Sequence, residues 1–285
     1  MMLNKNSFAV LILTHGRPDN VLTTDTLRKQ GYTGEIFYVI DDEDQSGDEY
    51  RRKFGEDKVF SFSKNDIEQR FDPADTQSDR RSIFYARNAS FDIARKIGLD
   101  YFVQLDDDYV RFAYRVVEDQ KMLWIPMWQL DRVFRLMIDL LEDTGALTVA
   151  LSQGGDHIGG IDGNLRKGIL RKAMNSFFVR TNRPVEFIGR LNEDVSAYVL
   201  NGSRGELFLT PTQVQLVQKQ TQQQGGGMTE LYLHTGTYTK SFYSVMMMPS
   251  AVTVGVMQAV NTRMHHMISW DHAIPKIISG RYRKS

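Results

Sequence analysis

Three consecutive aspartates, Asp106, Asp107 and Asp108, directly follow the apolar run Tyr101 to Leu105. Carboxylates crowded at a strand end repel one another, and a Mg2+ or Mn2+ ion bridging them to a diphosphate would relieve that repulsion while neutralising a leaving group. Taken alone, the triplet reads equally as a solvated turn. A second pair, Asp41 and Asp42, closes another short apolar run, Glu35 to Ile40. Acids there can hold a base or ribose hydroxyl, or can simply solvate a loop. A third group, Asn192-Glu193-Asp194, offers a general base across a cleft from a metal, since an attacking hydroxyl needs a proton acceptor within hydrogen-bond reach. The same acids would also suit an ordinary helix start, where they face the positive end of the helix dipole.

Basic and imidazole groups accompany these acids. Arg87 and Asn88 lie on the segment leading into the triplet and can reach the same edge, or can pair with surface acids. His265 and His266 are adjacent, with His272 close behind. A neutral imidazole is a good third ligand for Mn2+ beside carboxylates, although paired histidines also serve as packing or surface residues. His15, His157 and His234 are weaker candidates. There is no GxxxxGK[ST] phosphate loop, no GxGxxG after the first strand, no HExxH and no GxSxG elbow, so the chemistries those motifs carry lose their support.

Strands and helices in alternation must position these groups. Phe8 to Leu13 reads as a strand buried on both faces, closed by Thr14-His15-Gly16-Arg17-Pro18. Asp19 is expected to cap a helix to about Gln30, with Gly31 stopping it. Glu35–Ile40 and Lys58–Phe62 are further strands, and Ser63–Asp79 reads as a polar loop over a site. Arg80–Gly98 has helical spacing, Tyr101–Leu105 is a strand, Met127–Glu142 an amphipathic helix and Ala146–Leu151 a strand. Phe177–Arg180 and Val185–Ile188 look like short strands, and a helix opens at Asn192. This order predicts an α/β fold of Rossmann type, a mostly parallel sheet flanked by helices with ligands outside the strands' carboxyl ends.

The 285 residues are read as one domain of two halves, about 1–150 and about 151–285. Apolar residues make up 41% of the chain, enough for a sizeable core. Net charge is zero, so no global field draws the protein to nucleic acid or anionic membrane. Locally, Glu35–Asp79 holds 14 acids against 6 bases, whereas Ile161–Arg190 holds 7 bases against 2 acids. Absence of cysteine removes disulfides and thiolate chemistry and fits a reducing compartment. With no signal-peptide core and no transmembrane run, the expected location is cytoplasmic and no membrane partner is expected.

In sequence order, THGRP, IDDED, the Arg87-Asn88 pair, LDDDY, NED and a late histidine resemble the GT-A glycosyltransferases. More narrowly, NEDVSAYVLNG, QGGGMTELY and RMHHMISWDHAIPKI resemble the TET-associated glycosyltransferases of phages and related elements, which act on hydroxymethylated pyrimidines in DNA. The resemblance implies a GT-A fold with a C-terminal acceptor-side extension, a nucleotide-sugar donor (a UDP-sugar) and a divalent metal, Mn2+ or Mg2+. Laid on matching residues, it implies that Thr14, Arg17, Asp41 and Asp42 contact the donor nucleoside, with Arg87 and Asn88 nearby. Asp106 and Asp108 would take the DxD positions, His265 or His266 would complete the metal site, Asp194 would be the base and Glu193 its orienting neighbour. A base of that type implies inversion at the anomeric carbon.

The acceptor implied is hydroxymethylcytosine in DNA. Arg166, Lys167, Arg171, Lys172, Arg180, Arg183 and Arg190, with Arg281, Arg283 and Lys284, could supply phosphate contacts, although scattered bases are also the usual solvated surface. Competing readings are a glycan, lipid or protein acceptor on the same fold, a nucleotidyltransferase, and a noncatalytic nucleotide-binding protein. Ser63–Asp79 and Gln222–Gly227 are the expected lids.

Overall fold

A computed structural model describes residues 8–75, 80–219, 239–257, 263–274 and 280, with the backbone alone for Arg263. Strand β1 (Phe8–Leu13) is apolar throughout because both of its faces are covered. Ala9, Leu11 and Leu13 enter one apolar layer, and Val10 and Ile12 enter the other, as the two-residue period of a strand requires. β2 (Glu35–Asp41) and β4 (Tyr101–Asp106) flank β1 and run parallel to it. β3 (Val59–Phe62) extends the parallel set beyond β2.

Beyond β4 the sheet continues through β9 (Phe177–Arg180), β7 (Thr148–Val149), β10 (Phe208–Pro211) and β8 (Ile169–Leu170). The order is β3-β2-β1-β4-β9-β7-β10-β8, and only β9 and β8 run against the rest. This is the mostly parallel α/β sheet that the strand and helix pattern predicts.

Helices α1 (Leu22–Lys29), α2 (Gly47–Phe54) and α5 (Leu130–Thr144) contribute to the layer that holds Val10. α3 (Lys64–Glu68), α4 (Ile83–Lys96) and α6 (Glu193–Ser203) contribute to the layer that holds Leu11. On α5, Leu130, Val133, Phe134, Met137, Ile138 and Leu141 are buried at spacings of three and four, one apolar stripe. Phe134 meets the rings of Phe8, Tyr32, Phe112 and Phe178. Truncating such a ring to alanine costs about 3–5 kcal/mol. Gly31, at φ 86°, joins α1 to the approach of α5: a Cβ there would stand 2.3 Å from the Trp128 carbonyl oxygen. Any side chain would therefore push the two segments apart.

A second sheet, β11-β5-β6, follows the aspartate triplet: β5 (Tyr109–Glu118) turns back as β6 (Lys121–Pro126) and pairs on its other edge with β11 (Val214–Gln218). Near the C-terminus, α7 (Thr239–Met247) and α8 (Trp270–Ala273) pack on α6, and β12 (Val252–Met257) pairs antiparallel with β13 (Arg263–Ile268). Among the described residues no helix is long and apolar enough to cross a membrane.

Several local expectations change. Asp19 caps nothing: Pro18–Asn20 forms a 3-10 turn, α1 starts at Leu22, and Asp19 pairs with Lys53 at 2.9 Å. Only Thr148–Val149 of the expected Ala146–Leu151 strand pairs as one. Val185–Ile188 forms no strand, because the Phe187 N–H and carbonyl are satisfied by the Asn88 side chain at 3.1 and 3.0 Å. The Ser63–Asp79 stretch contains α3 and is tied down as far as Asp75, while residues 76–79 lie outside the described residues.

Candidate active site

Parallel strands gather everything carried by their carboxyl ends onto one rim. Leu13 on β1 lies between Val39 of β2 and Asp106 of β4, so Thr14, Asp41 and Asp106 leave the sheet side by side. One helix residue fixes the peptide geometry there. The Thr23 hydroxyl donates to the Asp106 carbonyl at 2.6 Å and accepts from the Tyr109 N–H at 2.9 Å, and the Thr23 N–H donates to the Asp107 carbonyl at 3.1 Å.

The three aspartates then diverge. Asp107 turns toward β1, accepting from the Thr14 hydroxyl at 2.6 Å and facing Arg17 Nη2 at 3.0 Å. The Thr14 proton is spent on Asp107, so the Tyr50 hydroxyl, 2.8 Å away, donates to Thr14 and accepts from the Arg17 N–H at 2.8 Å. Asp106 instead meets Arg87 Nη2 at 3.1 Å. Among the described residues Asp108 has no such partner: its Oδ1 is buried without a hydrogen-bond donor. Burial pushes the Asp108 carboxyl up to about 7, reinforced by repulsion from Asp106 and Asp107. Burial likewise lifts Asp107 to about 6 against the pull of Arg17, and raises Asp106 against that of Arg87.

Arg87 links this triplet to the NED segment. Buried on α4, it places Nε 3.0 Å from Glu193 Oε1, and its guanidinium lies 4.8 Å from the Phe177 ring centroid. Burial disfavours its charge, yet Asp106 and Glu193 raise its pKa above the ordinary value. Glu193 is pushed up to about 7 by burial and by Asp194. Burial also raises Asp194, whose Oδ1 accepts from the Val195 N–H at 2.7 Å. Asn192 precedes them in the left-handed region at φ 54°, a conformation asparagine tolerates. Its Nδ2 lies 3.1 Å from Ser244 Oγ and 3.1 Å from His266 Nδ1, which brings β13 to the first turn of α6. The His265 ring packs on that of His266 with centroids 4.1 Å apart. Among the described residues, no three His, Asp or Glu side chains converge as a preformed ligand set, so Asp106, Asp108 and the two histidines are not gathered around one point.

On the β2 side, Asp41 is buried between His15 Nδ1 at 2.6 Å and Lys64 Nζ at 2.9 Å. Burial alone would raise Asp41, but His15 and Lys64 hold it below the usual carboxylate range. The Asp41 hydrogen bond raises His15 in turn, against burial. Lys64, 3% exposed, also reaches Glu43 at 3.1 Å, and Glu43 meets Arg80 at 3.0 Å. Asp42 is exposed, and its Oδ1 accepts from the Lys64 N–H at 3.2 Å. Asn88 departs from the donor-contact expectation: its amide bonds the Phe84 carbonyl and both polar groups of Phe187, which makes it an anchor for the 185–188 segment.

The model of the TET-Associated Glycosyltransferase family matches residues 8–227, a span that includes β1, the triplet and the NED segment. The chain belongs to the TET-associated glycosyltransferase family. It is an enzyme of glycosyl transfer. No curated protein matches it. Among solved structures, it is similar to glucosyl-3-phosphoglycerate synthase from Mycobacterium tuberculosis in complex with Mg2+ and UDP, at 10% identity over 92% of this chain and 88% of that one, with a TM-score of 0.49. It is also similar to S. aureus TarS 1-349 in complex with UDP-GlcNAc, at 11% identity over 86% of this chain and 67% of that one, with a TM-score of 0.44.

In this TET-associated glycosyltransferase four of the seven bases in the basic stretch are held in ion pairs at or below the surface, which narrows the set free to meet phosphate. Arg180 pairs with Glu142, Arg183 with Glu206, buried Arg190 with Asp75 and Lys172 with Asp156, whereas Arg166 meets Asp162 only in an exposed pair at 3.4 Å. Lys167 and Arg171 are left, while Arg281, Arg283, Lys284, His234 and the Gln222–Gly227 segment lie outside the described residues. Residues that spacing did not single out, Thr23, Tyr50 and Lys64, hold the rim in place. The one signal available for Lys64 was its position just after a strand whose neighbour ends in acids.

Proposed function

We propose that this glycosyltransferase is of the GT-A type and moves a sugar from a UDP-sugar to the hydroxymethyl group of hydroxymethylcytosine in DNA, with inversion at the anomeric carbon. The observation that carries the reading is the assembly around Arg87: Asp106 and Glu193 on one guanidinium, Asp194 beside Glu193, and Asp108 with a buried, donorless oxygen. Burial and mutual repulsion raise the carboxyls of the triplet and of Glu193 and Asp194, a load of negative charge that a divalent cation would relieve.

Asp106 and Asp108 would hold that Mn2+ or Mg2+, which when bound supplies charge neutralisation to the departing diphosphate. His265 and His266 are proposed as its imidazole ligands. Thr14, Arg17, Asp41 and Asp42 form the nucleoside side, where His15 and Lys64 fix Asp41. The acceptor hydroxyl oxygen attacks the anomeric carbon, the bond to the diphosphate oxygen breaks with its electron pair, and the hydroxyl proton passes to Asp194. Its raised pKa makes Asp194 a better base than a solvated carboxylate. Glu193, held by Arg87, orients the acceptor or the sugar.

The test is transfer from a panel of UDP-sugars with Mn2+ to DNA containing hydroxymethylcytosine, read by mass spectrometry of the nucleosides. Sugar-bearing cytosine is expected with the wild type and not with Asp108→Asn. Transfer only to glycan, lipid or protein acceptors would reject the DNA assignment.

A further inference from the structure

The small sheet begins where the triplet ends. Tyr109 is paired with Gln218, and the Lys219 N–H donates to the Asp108 carbonyl at 3.0 Å. The strand that follows the last aspartate thus leads straight into a surface. Gln30, next to α1, anchors the inner side of this sheet through the Phe112 N–H and carbonyl, each at 2.7 Å. By strand alternation one side carries Arg111, Ala113, Arg115 and Val117, with Met122 and Trp124 of β6 and Gln215 and Val217 of β11; Ala113 and Gln215 in its middle are buried, while Arg111, Val117 and Trp124 are exposed. None of these is acidic.

Two arginines on this side stand apart from those of the basic stretch. Arg111 lies 4.0 Å from the Trp124 ring centroid, and Trp124 Nε1 donates to Gln215 at 3.3 Å. The indole is thereby held in place while 36% of the residue stays exposed. Among the described residues Arg115 Nη2 meets the Met122 sulfur, its Nε is buried without a partner, and its charge is felt by His157. Burial lowers the Arg115 pKa, with no carboxylate acting against that. Neither arginine forms an ion pair among the described residues, whereas Arg180, Arg183 and Arg190 all do.

Guanidinium groups without counter-ions, beside a fixed and exposed indole, complement a polyanion that also offers flat rings. A nucleic-acid strand is such a polyanion, and bases stack on aromatic side chains with little regard to sequence. At about 3.3 Å per residue, Arg111 and Arg115 stand roughly 10 and 23 Å along the strand from Asp108, a span of a few nucleotides. We propose that this face of β11-β5-β6 holds the unpaired DNA strand next to the base being modified, with Arg111 and Arg115 on phosphates and Trp124 under a base. The proposal rests on the DNA-acceptor reading above, and it fits a target base that must leave the duplex to reach the site.

The test uses the full chain and a fluorescein-labelled single-stranded oligonucleotide containing hydroxymethylcytosine. Binding by anisotropy across a salt series, and kcat and KM for donor and DNA, are compared for wild type, R111Q/R115Q and W124L, with melting curves to show that each variant is folded. For the arginine pair the expected result is a DNA KM raised about tenfold or more and a salt slope reduced by about 1.4, two contacts at roughly 0.7 each. W124L should weaken binding by about tenfold without changing the salt slope. Donor KM and kcat at saturating DNA stay at wild-type values. If wild type glycosylates DNA and the variants bind it equally well, the surface assignment is overturned while the acceptor reading stands. If wild type neither binds nor modifies DNA, both fall together. If the substitutions instead abolish binding to vesicles of phosphatidylserine and leave DNA binding intact, the face serves an anionic membrane and the proposal is rejected.

Discussion

Arg87 Nη2 stands 3.1 Å from Asp106 Oδ1, so the guanidinium on α4 ties the first aspartate of the triplet to the same cation that holds Glu193. Removing one member of a buried ionic group leaves an uncompensated charge and costs about 3–5 kcal/mol. Arg87→Met should therefore lower unfolding stability in urea by that order. Adding Glu193→Gln should recover about 1 kcal/mol or more of the loss. Strictly additive losses in the double variant would mean that the three groups do not act as a unit.

Asp108 gives the metal-free enzyme an unusual pH response. Its carboxyl titrates near 4 in the unfolded chain and at about 7 in the fold, so the native state binds the extra proton between those values. The stability it contributes is complete below pH 4 and is lost as pH rises through 7. Asp107, at about 6, acts in the same direction. Asp108→Asn should flatten the fall in melting temperature between pH 5 and 8 measured with chelator. Mn2+ with UDP should raise the wild-type melting point at pH 8 and leave that of Asp108→Asn nearly unchanged. A steeper fall in the variant would remove Asp108 from this account.

Asp194→Asn keeps the shape of the side chain and takes away its basicity. A positioned proton acceptor contributes about 10²–10⁴ to rate, so kcat should drop by that factor. Donor KM and donor-induced thermal stabilisation should remain as in wild type. Retention of more than half the kcat would assign the proton to another group.

His266 and Asn192 can be tested as a pair. His266→Ala should weaken Mn2+ affinity, and Asn192→Gly, which keeps the left-handed turn but removes the tether to His266, should weaken it by about tenfold, in the range seen for outer partners of ligating histidines. Stability in Asn192→Gly should change by no more than about 1 kcal/mol. Unaltered Mn2+ titrations in both variants would exclude the histidine from the metal site.

The frame of this fold was legible where burial is two-sided or helically periodic: β1, β2 and β4 are continuous apolar runs, and α4 and α5 repeat at three and four. The β5-β6 hairpin was not foreseen, because Arg111, Arg115 and Lys121 interrupt its apolar residues and its outward side is half exposed. α2 was hidden in the acid-rich stretch for a similar reason: it buries little besides Gly47 and Tyr50. Val185–Ile188 has strand composition, but a side-chain amide took the place of a neighbouring strand, and no local pattern announces that. At the site, residue types pointed to the acids. Which way each aspartate of the triplet turns depends on Thr14, Arg17 and Arg87, contributed by other elements. The pairing inside the basic stretch was not legible because charge counts carry no information about partners such as Glu142, Glu206 and Asp75.

Thr23 itself offers the reaction neither acid nor base, yet it grips three successive peptide groups of the triplet. The main chain that presents the carboxylates consequently moves with the hydrophobic interior rather than with the surface loops. An arriving donor meets a scaffold already shaped, and the attraction it feels need not be spent on ordering that backbone.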